Sequence, residues 1–159
     1  MSSRARTLVA SLPAALWAAV IFILSSDAGS SPNSQWLLRT TLGLMAPRWL
    51  ESLSPTQLDA ANFVVRKAAH FTVYFVLACL VWLALRVSGM RDPQRCARRT
   101  LTLAALYAAS DELHQAFVAT RTPSPVDVLI DVSGAAAAAA VCALAARMRA
   151  ARARAAPWR

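Results

Sequence analysis

Glycine, acidic side chains and lysine are scarce in this sequence. Its 159 residues hold 4 glycines, 8 Asp and Glu against 17 Lys and Arg, and a single lysine, Lys67. No nucleophile elbow or other recognised catalytic signature occurs. The three cysteines, Cys79, Cys96 and Cys142, have no spacing that suggests a zinc site or a disulfide framework. No metal and no cofactor is therefore assigned. The net charge of +9 invites a nucleic-acid reading. However, the arginines lie at the ends of apolar runs, where membrane topology accounts for them, so no nucleic-acid partner is expected.

What is present in quantity is apolar residue: 57% of the chain, with a mean hydropathy of +0.44. Four runs approach the length of about 20 residues that a spanning helix needs. They cover 7–24, 64–85, 100–118 and 126–146. The expected fold is all-α: an integral membrane four-helix bundle, one domain over 1–159 with a basic tail at 147–159. Arg4 and Arg6 before the first run resemble a signal peptide. That run is long and no small-x-small cleavage site follows it, so an uncleaved anchor is expected. Pro13 is expected to kink this helix or end its first turn.

Residues 28–63 form the longest connection. Ser31 and Pro32 read as N-cap and first helical position. Trp36, Leu37, Leu38, Thr41, Leu44 and Met45 follow at helical spacing until Pro47. Too short to span, this stretch is expected to be an interfacial helix, with Trp36 and Trp49 at headgroup level. Ser54-Pro55-Thr56-Gln57 is a second start with a capping box. A helix from there can run unbroken to Arg86, about 48 Å at 1.5 Å per residue. Ser88-Gly89 stops it.

Arg86, Arg91, Arg95, Arg98 and Arg99 crowd one connection, and Arg147, Arg149, Arg152, Arg154 and Arg159 crowd the tail. Both belong on the cytoplasmic side, as does the N-terminus. The expectation is a multi-pass cell-membrane protein with both termini cytoplasmic.

Against this frame Ser110-Asp111-Glu112-Leu113-His114-Gln115 stands out. It places two carboxylates, an imidazole and an amide near the end of an apolar run. Each ionisable group at membrane depth costs roughly 2.5–3.5 kcal/mol on insertion scales. Such groups call for partners, and topology supplies them. Lys67, His70 and Tyr74 lie at i, i+3 and i+7 on one face of the second span, near its external end. Arg121 lies in the external loop. Asp127 and Asp131, one turn apart and coupled as like charges, open the fourth span. Ser124 reads as its N-cap, Pro125 as its first helical position and Asp127 as the capping-box residue. Ser25, Ser26 and Asp27 end the first span on the same side. Asp111 is roughly 10 Å of helix from Val118 and Asp131 roughly 10 Å from Ser124, so depth agrees. Gly134 shares a face with Asp127 and Asp131, and the run Ala135–Ala140 after it reads as a packing seam.

These residues resemble the VanZ-like family of small integral membrane proteins, named for a glycopeptide (teicoplanin) resistance protein. The similar segments are 21–26 (IFILSS), 66–78 (RKAAHFTVYFVLA), 107–117 (YAASDELHQAF) and 121–134 (RTPSPVDVLIDVSG). The resemblance implies functional roles for Lys67, His70, Tyr74, Asp111, Glu112, Gln115, Arg121 and Asp127. It also implies a cell-envelope protein, linked in some members to resistance to lipid-bearing glycopeptides. Asp131 stands where the family pattern has Asn, and an ionised Asp accepts but cannot donate.

The readings left open are these. A polar site at the outer leaflet would bind or modify an anionic amphiphile: a lipid-linked envelope precursor, a phospholipid headgroup or a lipoglycopeptide. Lys67, Tyr74, Gln115, Arg121, Asp127 and Asp131 would bind it, and His70, Asp111 and Glu112 would serve as acid and base. Alternatively, the same residues form a buried ion-pair network that only holds the helices together. A metal site from Asp111, His114 and His70, and a proton or ion path, are weaker alternatives. His114 lies off the Asp111–Gln115 face and is expected to snorkel outward.

Overall fold

The computed structural model describes residues 3–26 and 30–155. Asp27 and Arg159, both used above, lie outside the described residues. Of the described residues 87% are helical, and none forms a strand. Six helices follow in order: α1 (Ser3–Ser25), α2 (Ser31–Met45), α3 (Pro47–Ser52), α4 (Pro55–Val87), α5 (Pro93–Gln115) and α6 (Pro125–Ala155). Three of them, α1, α4 and α6, are long and apolar enough to cross a membrane.

Local chemistry sets most boundaries. At the start of α4 the Ser54 hydroxyl accepts from the Gln57 N–H, and the Gln57 side chain accepts from the Ser54 N–H. This is the expected capping box, with Pro55 in the first turn. The helix ends at Val87, and Gly89 takes a φ of +98°, a conformation that favours glycine. Asp92 caps α5 by accepting from the Gln94 N–H at 2.9 Å.

Several boundaries differ from the sequence expectation. α1 runs continuously through Pro13. The N-cap of α2 is Ser30 and not Ser31, and a short α3 follows Pro47. α5 begins at Pro93 and ends at Gln115, short of the expected 118. Its first turns carry the exposed Arg95, Arg98 and Arg99, which a hydropathy run omits. α6 continues through the basic tail to Ala155, since Ala and Arg are strong helix formers.

The cross-chain contacts fix helix direction. Lys67 and His70 of α4 meet Asp127 and Asp131 of α6 in the same order along both helices, so α4 and α6 run parallel. Ser25 bonds Asp111 and Tyr107 bonds the Ala18 carbonyl, so α1 and α5 run parallel to each other. Tyr74 packs with Ala108, and Ala78 with Ala104, which sets α5 antiparallel to α4. Trp17 Nε1 donates to the Val73 carbonyl at 2.8 Å and ties α1 to α4. The polar residues of all four helices thus gather at one end. The arginines of the 86–99 segment and of the α6 tail gather at the other.

Burial is inverted relative to a water-soluble domain. Asp111, Glu112, Gln115, Asp127 and Asp131 are buried, while Leu8, Leu16, Phe63, Leu83, Leu129 and Leu144 are exposed. The interior of the Arg-rich half is small: Ala78, Ala104, Ala135 and Ala138 form one cluster. Small residues let helix backbones approach closely where no hydrophobic drive separates protein from lipid. Gly134 is the limiting case. A Cβ there would collide with the Phe71 carbonyl oxygen and sit 3.0 Å from its carbon.

Gly134→Ala is therefore expected to destabilise the fold by about 1–3 kcal/mol through overpacking. Gly134→Leu should abolish the monodisperse species in detergent. Ala140 is exposed on the same helix, and Ala140→Leu should be tolerated. Thermal melts and size-exclusion profiles of the three variants check this.

Candidate functional site

Two cross-helix pairs lie side by side on α4 and α6. Lys67 Nζ is ion-paired with Asp127 Oδ1. His70 Nδ1 is hydrogen-bonded to Asp131 Oδ1 at 3.0 Å, with Asp131 fully buried. The spacings i, i+3 on α4 and i, i+4 on α6 put each pair on the facing sides of both helices. Asp127 and Asp131, read as a like-charge pair, are thus separated by one cationic or imidazole partner each. Asp127 does not act as the capping-box residue. The Ser124 N–H is taken instead by Glu112 Oε1 of α5, while the Ser124 hydroxyl accepts from Val126 N–H. A tertiary cap has replaced the local one.

Asp111 Oδ2 accepts from the Ser25 hydroxyl at 2.7 Å and from Gln115 Nε2 at 3.3 Å. Arg121 donates from Nε to the Ser26 carbonyl at 3.1 Å and from Nη2 to the Leu24 carbonyl. It therefore caps the C-terminal end of α1, where a cation suits the helix dipole. His114 does not extend outward as expected. Its ring stacks on Phe22 with centroids 4.2 Å apart. Among the described residues no group of three or more His, Cys, Asp or Glu is placed to hold a metal ion. Asp111 and His114 thus do not join His70 in such a site.

A cavity of about 470 Å³ opens between α1, α2 and α4. Leu24, Leu37, Leu38, Val65 and Val73 give it an apolar wall. Arg66, His70, Tyr74, Asp111 and Arg121 give it a polar one. Within that polar wall Tyr74 Oη and Asp111 Oδ1 are buried and have no hydrogen-bond partner among the described residues. Buried polar atoms are nearly always satisfied, so such exceptions call for an explanation. Of the expected site residues, His70, Tyr74, Asp111 and Arg121 line this cavity. Lys67 and Asp127 line an adjoining one of about 360 Å³. Glu112, Gln115 and Asp131 line neither; they hold other residues in place. A larger hollow of about 830 Å³ lies at the opposite end among Arg91, Arg95 and Arg99. It contains no His and no buried carboxylate.

Arg66 is the residue the sequence reading passed over. It is half-buried, lines both adjoining cavities, and has no hydrogen bond or ion pair among the described residues. Its signal was its position: a second cation beside Lys67 and one turn before His70, inside an apolar run.

No curated protein and no solved structure matches the chain. One family model does, described as VanZ/LLP1, and it matches residues 11–146. That stretch takes in every residue of the two cross-helix pairs and of the polar cavity wall. The apolar helices and this match make the chain a membrane protein, and it belongs to the VanZ/LLP1 family.

Proposed function

We propose that this protein binds an anionic amphiphile in the outer leaflet of the cell membrane, in the cavity between α1, α2 and α4. The observation that carries this is the cavity's two-sided lining. One wall is aliphatic and suits an acyl or prenyl chain. The other presents Arg66, Arg121 and His70, with Tyr74 Oη and Asp111 Oδ1 buried behind them and without a hydrogen-bond partner among the described residues. Ligand sites are mostly apolar clefts with a few convergent polar groups, and this one has that character. Guanidinium groups suit phosphate or carboxylate. Asp131 holds His70 by its Nδ1, which orients the ring at the polar wall. That arrangement suits a proton acceptor if the bound amphiphile is also modified, with Asp111 beside it.

The accompanying topology has four spans, α1, α4, α5 and α6, as a bundle with both termini cytoplasmic. In support, α1 and α5 run opposite to α4 and α6, and the arginines of the 86–99 segment and of the α6 tail collect at one end. α2 and α3 then lie at the outer interface, where the exposed Trp36, Trp49, Leu44 and Met45 meet lipid. Sequestering or altering such an amphiphile would give cells tolerance to lipid-bearing glycopeptides, as the family resemblance implies.

The second reading is that the buried pairs serve only to join helices. Both the Lys67–Asp127 and the His70–Asp131 pair connect α4 to α6, which favours it.

Three outcomes are expected. In a background without native cysteines, Thr56→Cys should react with a membrane-impermeant maleimide in intact cells. Ala150→Cys should react only after permeabilisation. The opposite pattern would invert the topology, and labelling of both in intact cells would mean an even number of crossings between the two positions instead of three.

Purified protein should be stabilised by anionic lipids added in detergent and not by phosphatidylcholine. At ten times Kd the gain is about 1.4 kcal/mol. Leu38→Trp, which fills the apolar wall, should keep the melting temperature and lose the lipid response. No anionic-lipid shift in the wild type would defeat the binding reading.

Lys67→Ala strands the Asp127 carboxylate and should destabilise the fold by about 3 kcal/mol. The swap of Lys67→Asp with Asp127→Lys should recover most of that loss. If lipid response returns fully with stability in the swapped protein, the pair has a structural role alone.

A further inference from the structure

Resting on the outer-leaflet reading, we infer that the ligand is a phosphodiester lipid with a polyhydroxylated headgroup, its phosphate held by Arg66 between two compartments. Arg66 lines both cavities. Among the α4 residues that line them, Asp59, Asn62, Arg66, His70 and Val73 fall at i, i+3, i+7, i+11 and i+14 along one helical face. Arg66 stands in the middle of this face, about 10 Å of helix from Asp59 and about 10 Å from Val73.

The two compartments differ in chemistry. Toward Val73 the lining is Ile21, Leu24, Leu37, Leu38 and Val65, fit for a hydrocarbon chain. Toward Asp59 the lining includes Ser31, Gln35, Asn62, Thr122 and Ser124, a set of hydroxyls and amides, with the carboxylates of Asp59 and Asp127. Such a set donates to and accepts from ligand hydroxyls. A bare phosphate monoester would leave it idle. The charges agree. Lys67 is committed to Asp127 and Gln35 Nε2 donates to Asp59 Oδ1 at 2.5 Å. Arg66 remains as the guanidinium with no partner among the described residues. A fork of N–H donors matches two phosphate oxygens, and burying it half-way from water strengthens the contact. A phosphodiester has one substituent for each compartment; a monoester has only one.

The test uses purified full-length protein in detergent with three probes: phosphatidylglycerol, phosphatidic acid and phosphatidylcholine. Binding is read by native mass spectrometry and thermal shift. Phosphatidylglycerol, a phosphodiester with a glycerol head, should bind about tenfold tighter than phosphatidic acid, and phosphatidylcholine should bind weakest. Arg66→Gln should weaken phosphatidylglycerol about tenfold or more. It should leave the ligand-free melting temperature unchanged, because it strands no carboxylate. Arg66→Lys, which keeps the charge without the fork, should lie between. Gln35→Ala should weaken phosphatidylglycerol and leave phosphatidic acid unchanged.

Equal binding of the two anionic lipids, with both insensitive to Gln35→Ala, overturns the two-compartment inference and leaves the anionic-amphiphile reading standing. Unaltered phosphatidylglycerol binding in both Arg66 variants overturns the role of Arg66. Anionic lipids binding no better than phosphatidylcholine overturn both the inference and the reading it rests on.

Discussion

The close approach of α4 and α6 at Gly134 is the constraint on which the rest of the structure depends. Helices in lipid gain nothing from hiding apolar surface from one another, because the lipid is equally apolar. They associate through tight backbone contact and polar pairing. Here the two devices are consecutive along one seam. Gly134 lets α6 sit against the Phe71 carbonyl. Ala135 and Ala138 continue the contact toward the Arg-rich end. In the other direction the same register brings Asp131 to His70 and Asp127 to Lys67. A displacement of α6 by one residue would rotate both carboxylates away from their partners. The pairs thus set the register, and the small residues make that register sterically possible. Buried ion pairs contribute little net stability, so this specifying role is the physical reason to retain them.

α5 and α1 complete the polar end by capping, not by ion pairing. Glu112 takes the N–H of Ser124 at the start of α6, where a carboxylate suits the helix dipole. Arg121 takes carbonyls at the end of α1, where a cation suits it. Asp111 is held by Ser25 of α1 and by Gln115 of its own helix. The four carboxylates Asp111, Glu112, Asp127 and Asp131 share this end with three cations, Lys67, Arg121 and Arg66.

The sequence disclosed the long helices and the end where the polar groups meet. Ser54, Pro55 and Gln57 marked the start of α4 because a capping box is local and complete within four residues. Topology then brought Lys67, His70, Asp111 and Asp131 together without any knowledge of distance. The misses have one cause: a local motif looks the same whether or not a tertiary partner intervenes. Asp127 had the spacing of a capping-box residue, yet Glu112 was available from α5 and Lys67 from α4. Arg121 also bonds the carbonyls at the end of α1, a contact that cannot be seen from its sequence position. His114 was placed by its helix face alone, and Phe22 on α1 decided where its ring went. Arg66 was absorbed into a run of apolar residues, and only the packing of α2 on α4 shows that it faces a cavity.

The division of labour between seam and cavity follows from α4 presenting two faces. One face, with Lys67 and Phe71, meets α6. The other, with Asp59, Asn62, Arg66 and Val73, meets α1 and α2, whose contact with it is looser. α2 is docked chiefly by polar bonds: Asn62 to Ser31 at 3.4 Å and Gln35 to Asp59 at 2.5 Å. An exposed hydrogen bond contributes only about 0.5–1.5 kcal/mol net. α2 is therefore the element that can move away from α4 at the smallest cost, and its leucines form the apolar wall of the cavity. His70 joins the two faces: its Nδ1 belongs to the seam through Asp131, while its ring lines the cavity. Lys67 does the same on the adjoining side: its ammonium pairs with Asp127 in the seam, and both residues line the smaller cavity. The cavities and the helix seam therefore share side chains, His70 in one case and the Lys67–Asp127 pair in the other.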